Sequence, residues 1–140
     1  SLRRAGVEIV SVLLHTGLAS PEAGERPYDE YFCVDARAVE AIGRARRVIA
    51  VGTTVVRALE SASDHGRLRP ARGWTDKMVT PDSPPEVVDA LLTGFHEARS
   101  THLQMLRAIA GDAHVTAAYR AALGGDYRWH EFGDVHLILP

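Results

Sequence analysis

At 140 residues the chain is about one domain long, and 46% of its side chains are apolar, enough to bury a core. With 16 basic and 18 acidic side chains the formal charge is only -2, so bulk electrostatics do not announce nucleic acid. A single cysteine, Cys33, rules out an intramolecular disulfide and a multi-cysteine metal site. No apolar run approaches the roughly 20 residues that cross a bilayer and nothing at the N-terminus resembles a signal peptide, so a cytoplasmic protein without membrane contact is expected. Local basic patches at Arg44, Arg46 and Arg47, or at Arg67, Arg69 and Arg72, would suffice for a nucleic acid. Lys77 is the only lysine, a bias that a GC-rich coding sequence explains without any binding role.

Leu2-Arg3-Arg4-Ala5-Gly6 reads as the last turn of a helix with its glycine stop, as if the chain began inside a domain. Val7 to Leu14 is mostly apolar and reads as a buried strand. His15-Thr16-Gly17 closes it at the end where ligands gather in open parallel sheets. Ala19 to Asp29, rich in Pro, Glu, Gly and Arg without a period, argues a surface loop. Phe32-Cys33-Val34 suits a short strand. Asp35 then caps a helix carrying Val39 and Ile42 on one face and ending near Gly43 to Arg46.

The run from Arg47 to Ala62 is the centre of the chain. Val48 to Val51 is an unbroken apolar stretch, as expected of a parallel strand covered on both faces. Gly52 permits a sharp turn and close approach of a ligand, and Thr53 or Thr54 can cap the helix that follows. The free N–H groups of its first turn make a natural anion site, with Arg57 on the face of the threonine hydroxyls. The same pattern also fits a plain capped helix with a surface arginine, since most strand-turn-helix units bind nothing.

Residues His65 to Gly73 read as an exposed loop. Trp74-Thr75-Asp76 can stack a purine and hold a ribose hydroxyl, although most such tryptophans cover a core edge. Lys77 to Thr80 suits a short strand. Ser83-Pro84-Pro85-Glu86 has capping-box spacing and predicts a helix that buries Val87, Val88, Ala90, Leu91 and Leu92 and stops at Gly94. After a connector from Phe95 to Arg99, Ser100 or Thr101 starts a helix with Leu103, Leu106, Ile109 and Ala110 inward. Asp112 caps another that runs to Leu123 and breaks at Gly124-Gly125-Asp126. Tyr127 to Trp129 and Val135 to Leu139 read as terminal strands. The histidines include no His-x-x-x-His pair, so no metal site is expected. No nucleophile elbow, Walker loop or dinucleotide fingerprint occurs.

Several motifs occur together: Leu14-His15-x-Gly17, Glu30-Tyr31-Phe32, the Gly52-Thr53-Thr54-x-Val56-Arg57 core, Gly73-Trp74-Thr75-Asp76, Val88 to Thr93, Phe95-His96, Ser100-Thr101, Met105-Leu106, Ala110-Gly111 and Phe132-Gly133-Asp134. In order and spacing they resemble the S-adenosylmethionine:tRNA ribosyltransferase-isomerases of queuosine biosynthesis, over nearly the whole chain. The expected fold is α/β, a mostly parallel or mixed sheet with helices on both faces, forming the C-terminal portion of a larger domain. The resemblance implies that residues 1–140 are that portion, without the upstream part and an inserted β-barrel. It implies transfer of the ribosyl part of S-adenosylmethionine, as co-substrate and without a metal, onto a 7-aminomethyl-7-deazaguanine base of tRNA. Rearrangement to an epoxycyclopentanediol then releases adenine and methionine. His15, Asp76 and His96 are the candidate acid-base groups. Gly52, Thr53, Thr54, Arg57, Trp74, Thr75, Phe95, Ser100, Thr101 and Asp134 are the candidate binding residues, with Arg57 and the threonine turn holding a carboxylate or phosphate.

The departures from the family pattern fall in loops. His15-Thr16-Gly17-Leu18-Ala19-Ser20-Pro21 lacks a glycine-rich turn, Pro27-Tyr28-Asp29 replaces Met-His-Ser, Gly94 replaces an asparagine, Glu97-Ala98-Arg99 replaces Leu-Pro-Lys, and Glu131-Phe132 replaces Ser-Tyr. Such a pattern also suits a diverged relative that binds S-adenosylmethionine or a nucleoside with a non-tRNA acceptor, or a non-catalytic binding relative.

Overall fold

The computed structural model describes residues 1–17, 28–97, 100–129 and 132–140. The expected loop over 19–27, Ala98-Arg99 of the connector and Glu131 lie outside the described residues. A short 3-10 turn over Leu2–Ala5 ends at Gly6 in the left-handed region, φ 83°, as the glycine stop requires. Of the apolar run that follows, only Leu13–Leu14 (β1) pairs as a strand, and Val7 and Ile9 stay 42% and 54% exposed. β2 spans Glu30–Val34 and lies between β1 and β6 (Ala71–Thr75), antiparallel to both. Side chains alternate across that sheet. Phe32 and Val34 face the core, whereas Tyr31 and Cys33 sit on the other side with Trp74 and Arg72 opposite them.

α1, Ala36–Arg44, is capped as expected, with Asp35 Oδ1 accepting from the Ala38 N–H at 2.8 Å. The chain then enters β3, Ile49–Val51, which pairs in parallel with β7, Ala90–Gly94. β8, Val135–Ile138, adds antiparallel to β7. The architecture is therefore α/β with mixed strand directions. β3 is not covered on both faces: Ala50 is buried, while Ile49 and Val51 are 46% and 66% exposed, on the side that also exposes Leu137 and Val135. α2, Thr53–Ser61, packs between the two sheets with Val56, Ala58 and Leu59 at 0–2% exposure. Helices α3, Thr101–Ala110, and α4, Asp112–Leu123, follow, with α3 placing Leu103 and Leu106 in the same core. Among the described residues no helix is long and apolar enough to cross a membrane.

Five expectations fail locally. The segment opening at Ser83 forms no helix. Pro85 pushes Pro84 out of the helical region, and the buried Glu60 carboxylate takes the N–H groups of Glu86, Val87 and Val88 at 2.9–3.0 Å, so Val87 and Val88 do not donate back to Ser83 and Pro84 as a helix capped at Ser83 would need. Asp89 then accepts from the Val48 N–H at 2.7 Å, and Ala90 to Gly94 continue as a strand. The stretch read as a loop over His65 to Gly73 contains a hairpin of β4, Ser63–Asp64, and β5, Arg67–Leu68, and then the start of β6. Its turn residues His65 and Gly66 both have positive φ, 48° and 72°, the hairpin geometry that glycine favours. Lys77 to Thr80 and Tyr127 to Trp129 form no strand; Thr80 bridges Ser83 in a turn. Asp112 is the first residue of α4 rather than its cap, and it pairs instead with Arg107 at 2.9 Å.

Candidate functional site

The turn from β3 into α2 is made by Gly52 at φ 96°, ψ 146°, a conformation that side chains resist. Gly52 N–H donates to Leu92 O at 2.8 Å, which locks the turn to the end of β7. Neither threonine caps the helix by its side chain; Gly52 is the capping position. Thr53 is buried, Thr54 is half-buried, and their N–H groups open α2.

One turn further on, Arg57 is directed inward. Its guanidinium pairs with the Glu30 carboxylate and donates to Lys77 O at 3.2 Å and Thr75 O at 3.3 Å. Glu30 in turn accepts from the Gly17 N–H at 3.0 Å. A single guanidinium thus gathers α2, the turn after His15, the start of β2 and the end of β6. Thr75 faces the same interior, where its hydroxyl is 2.7 Å from Ser61 Oγ and accepts from the Lys77 N–H at 3.0 Å. Asp76 is exposed at the end of β6.

A second grouping forms where β7 ends. Thr93 Oγ1 and His96 Nε2 are hydrogen-bonded at 2.9 Å, the donor being set by the imidazole tautomer, and His96 lies 4.7 Å from the His102 ring on α3. Ser100 caps α3 by accepting from the Leu103 N–H at 3.2 Å, so its hydroxyl is engaged, and Thr101 is the first helical residue. Phe95 is 5% exposed. It packs edge-on against Tyr119, Tyr127 and Trp129 and is stacked on His136 at 5.2 Å. Burial raises the Tyr119 pKa, partly offset by the hydrogen bond from the His96 N–H to its hydroxyl at 2.8 Å. Burial also lowers the His136 pKa, and its Nδ1 is enclosed without a partner among the described residues. Asp134 closes the loop before β8 by accepting from the Arg128 N–H.

A third set lies on the solvent side of the antiparallel sheet. His15 and Trp74 flank Tyr31, each 5.8 Å from it ring to ring. The candidate residues therefore fall into three neighbourhoods: Arg57 with Thr75, His96 with Phe95, Ser100 and Thr101, and His15 with Trp74. Sequence reasoning did not single out Glu30, Tyr31, Glu60, Thr93 or His102 as site residues. The signal for Glu30 was its period: it alternates with Phe32 and Val34, so it faces the core, and a core carboxylate needs a cation.

This arrangement can be set beside known proteins. The model of the queuosine biosynthesis protein family matches residues 1–138. The chain belongs to that family. The S-adenosylmethionine:tRNA ribosyltransferase-isomerase of Heliobacterium modesticaldum is 44% identical over 99% of this chain, and that of Pelotomaculum thermopropionicum 43% identical over the same share. The chain spans 44% of the length of each of these family members. The crystal structure of the S-adenosylmethionine tRNA ribosyltransferase from Thermotoga maritima superposes with a TM-score of 0.79 at 36% identity, covering 99% of this chain and 47% of that one.

Proposed function

We propose that the complete polypeptide carrying this chain is an S-adenosylmethionine:tRNA ribosyltransferase-isomerase, with residues 1–140 as the C-terminal portion of its α/β domain. The observation that carries this reading is the alignment of 99% of the chain with enzymes of that name at up to 44% identity. The exposed Ile49, Val51, Val135 and Leu137 support a domain completed by further sequence, because a sheet face this apolar is normally covered.

In this reading the N–H groups of Thr53 and Thr54 beside Gly52 hold the carboxylate of S-adenosylmethionine, a role suited to a helix start. Arg57 acts from behind, fixing the carbonyls of Thr75 and Lys77 and, through Glu30, the turn after His15. Departure of adenine as a neutral base needs a proton, and the rearrangement of the ribosyl carbons needs a base. In this reading His96, His15 and Asp76 exchange those protons. Thr93 orients the His96 ring, Phe95 anchors the strand end that carries it, and Ser100, Thr101 and Asp134 shape the surrounding loops.

The test is release of adenine and methionine by the complete polypeptide, given S-adenosylmethionine and tRNA bearing the 7-aminomethyl-7-deazaguanine base. Release that depends on the tRNA is expected, with none from the 140-residue chain alone. Binding of S-adenosylmethionine without any effect of tRNA would replace the acceptor, and binding of neither would leave a non-catalytic relative. Turnover by the isolated chain would refute the assignment of half the site to further sequence.

A further inference from the structure

We propose that the outer face of the β1–β2–β6 sheet binds unpaired nucleotides of RNA, with bases stacked on Tyr31 and Trp74 and a phosphate held by Arg72. This rests on the tRNA reading above and adds the surface through which the RNA is held. The pairing register puts Tyr31 opposite Trp74 and Cys33 opposite Arg72, so all four side chains share the face turned away from the core. His15 continues the row on the other side of Tyr31. Trp74 is 71% exposed, far more than an indole serving as a core cover. Tyr31 and Trp74 meet at an interplanar angle of 72°, so the two rings do not stack on each other.

Charge favours a nucleic acid over an apolar protein partner. Arg72 is exposed and has no acidic partner among the described residues, and Arg67 and Arg69 precede it in the adjoining hairpin. The exposed acids Asp29 and Asp76 lie at the opposite end of the strands; at the arginine end, Asp35 caps α1 and Asp64 stands opposite Arg67 in the hairpin. Alongside β6, whose far edge pairs with no strand among the described residues, a hollow of about 350 Å³ is lined by Arg72, Trp74, Thr75, Lys77 and Ser63. The Ser63 hydroxyl is enclosed there without a hydrogen-bond partner among the described residues. Ring faces and a guanidinium without an acidic partner among the described residues together match a base and a phosphate.

The experiment measures tRNA affinity of the complete polypeptide and its Trp74→Ala, Tyr31→Ala and Arg72→Ala variants over a range of salt, with circular dichroism confirming the fold. Loss of one stacked base weakens binding about tenfold, so Trp74→Ala and Tyr31→Ala should each show that loss. Arg72→Ala should lower the slope of log affinity against log salt by about one. With Trp74 kept as the single tryptophan of the complete polypeptide, every other one being replaced by phenylalanine, RNA should quench its emission, a readout that survives if an alanine variant fails to fold. Unchanged affinity in all three variants, with tRNA still bound by the unmodified protein, would overturn the platform and leave the tRNA reading standing. An unmodified protein that binds no tRNA would overturn that reading, and the platform with it. Trp74 shielded from acrylamide in the free protein would show that the rest of the polypeptide covers this face, which also overturns the platform.

Discussion

Arg57 and Glu30 form an ion pair whose side chains are only 10% and 12% exposed, and the pair joins a helix to a strand 27 positions earlier in the chain. It closes at neither end. Glu30 passes the connection on to the Gly17 N–H, and Arg57 passes it on to the carbonyls of Thr75 and Lys77. The arginine is therefore a brace for the segments carrying His15 and Asp76.

Removing one partner of such a pair leaves the other charge buried and uncompensated, which costs roughly 3–5 kcal/mol. Arg57→Ala should lower unfolding stability by about that much in urea titrations. Arg57→Lys should recover only a minor part, because an ammonium cannot serve the carboxylate and two carbonyls with a planar fork. A loss below about 1 kcal/mol for Arg57→Ala would show that the pair is dispensable.

Gly52 and Gly111 make a controlled comparison. Both hold unusual backbone angles, φ 96° and ψ 146° against φ 79° and ψ 155°. A Cβ at Gly52 would meet only Thr54 Oγ1 at 3.6 Å and one at Gly111 nothing within 4 Å, so strain rather than a clash sets the cost. Each glycine-to-alanine change should therefore destabilise by about 1–3 kcal/mol. In the complete polypeptide Gly52→Ala should also weaken S-adenosylmethionine binding measured by calorimetry, while Gly111→Ala should not. Equal affinity in the two variants would remove the α2 turn from the site.

His136 is half-buried and stacked on Phe95, with its pKa lowered from the ordinary value of 6.5 by desolvation. A folded-state pKa below the unfolded one means that the unfolded chain binds the proton more readily. Its contribution is complete above about pH 6.5 and is lost as pH falls through the folded pKa. Melting temperature should decline with acidification across that window, and His136→Phe, which keeps the stacked ring, should flatten the decline. Identical pH profiles for the two proteins would place the acid sensitivity elsewhere.

Elements defined by neighbours in sequence were legible in advance. Asp35 three residues before the Ala38 amide, the apolar run into Gly52, Ser100 before Leu103 and the glycine at position 6 each act over a few residues, where chain geometry alone limits the outcome. The segment opening at Ser83 shows where this fails. Its capping-box spacing is a local argument, overruled by a carboxylate 26 positions away that holds the Glu86 amide. The burial alternation of β6 was equally hidden, because the hairpin that introduces it depends on a positive φ at His65, not a glycine.

The site divides along the same line. Local pattern nominated Gly52, Thr53, Thr54 and Trp74 as candidates, and the resemblance to the ribosyltransferase-isomerases added His96. The inward turn of Arg57, the choice of Glu30 as its partner and the row of His15, Tyr31 and Trp74 on one face came only from folding. Strand pairing brings together residues some forty positions apart, and burial then obliges each charge to find its opposite. Local sequence records neither the pairing nor that obligation.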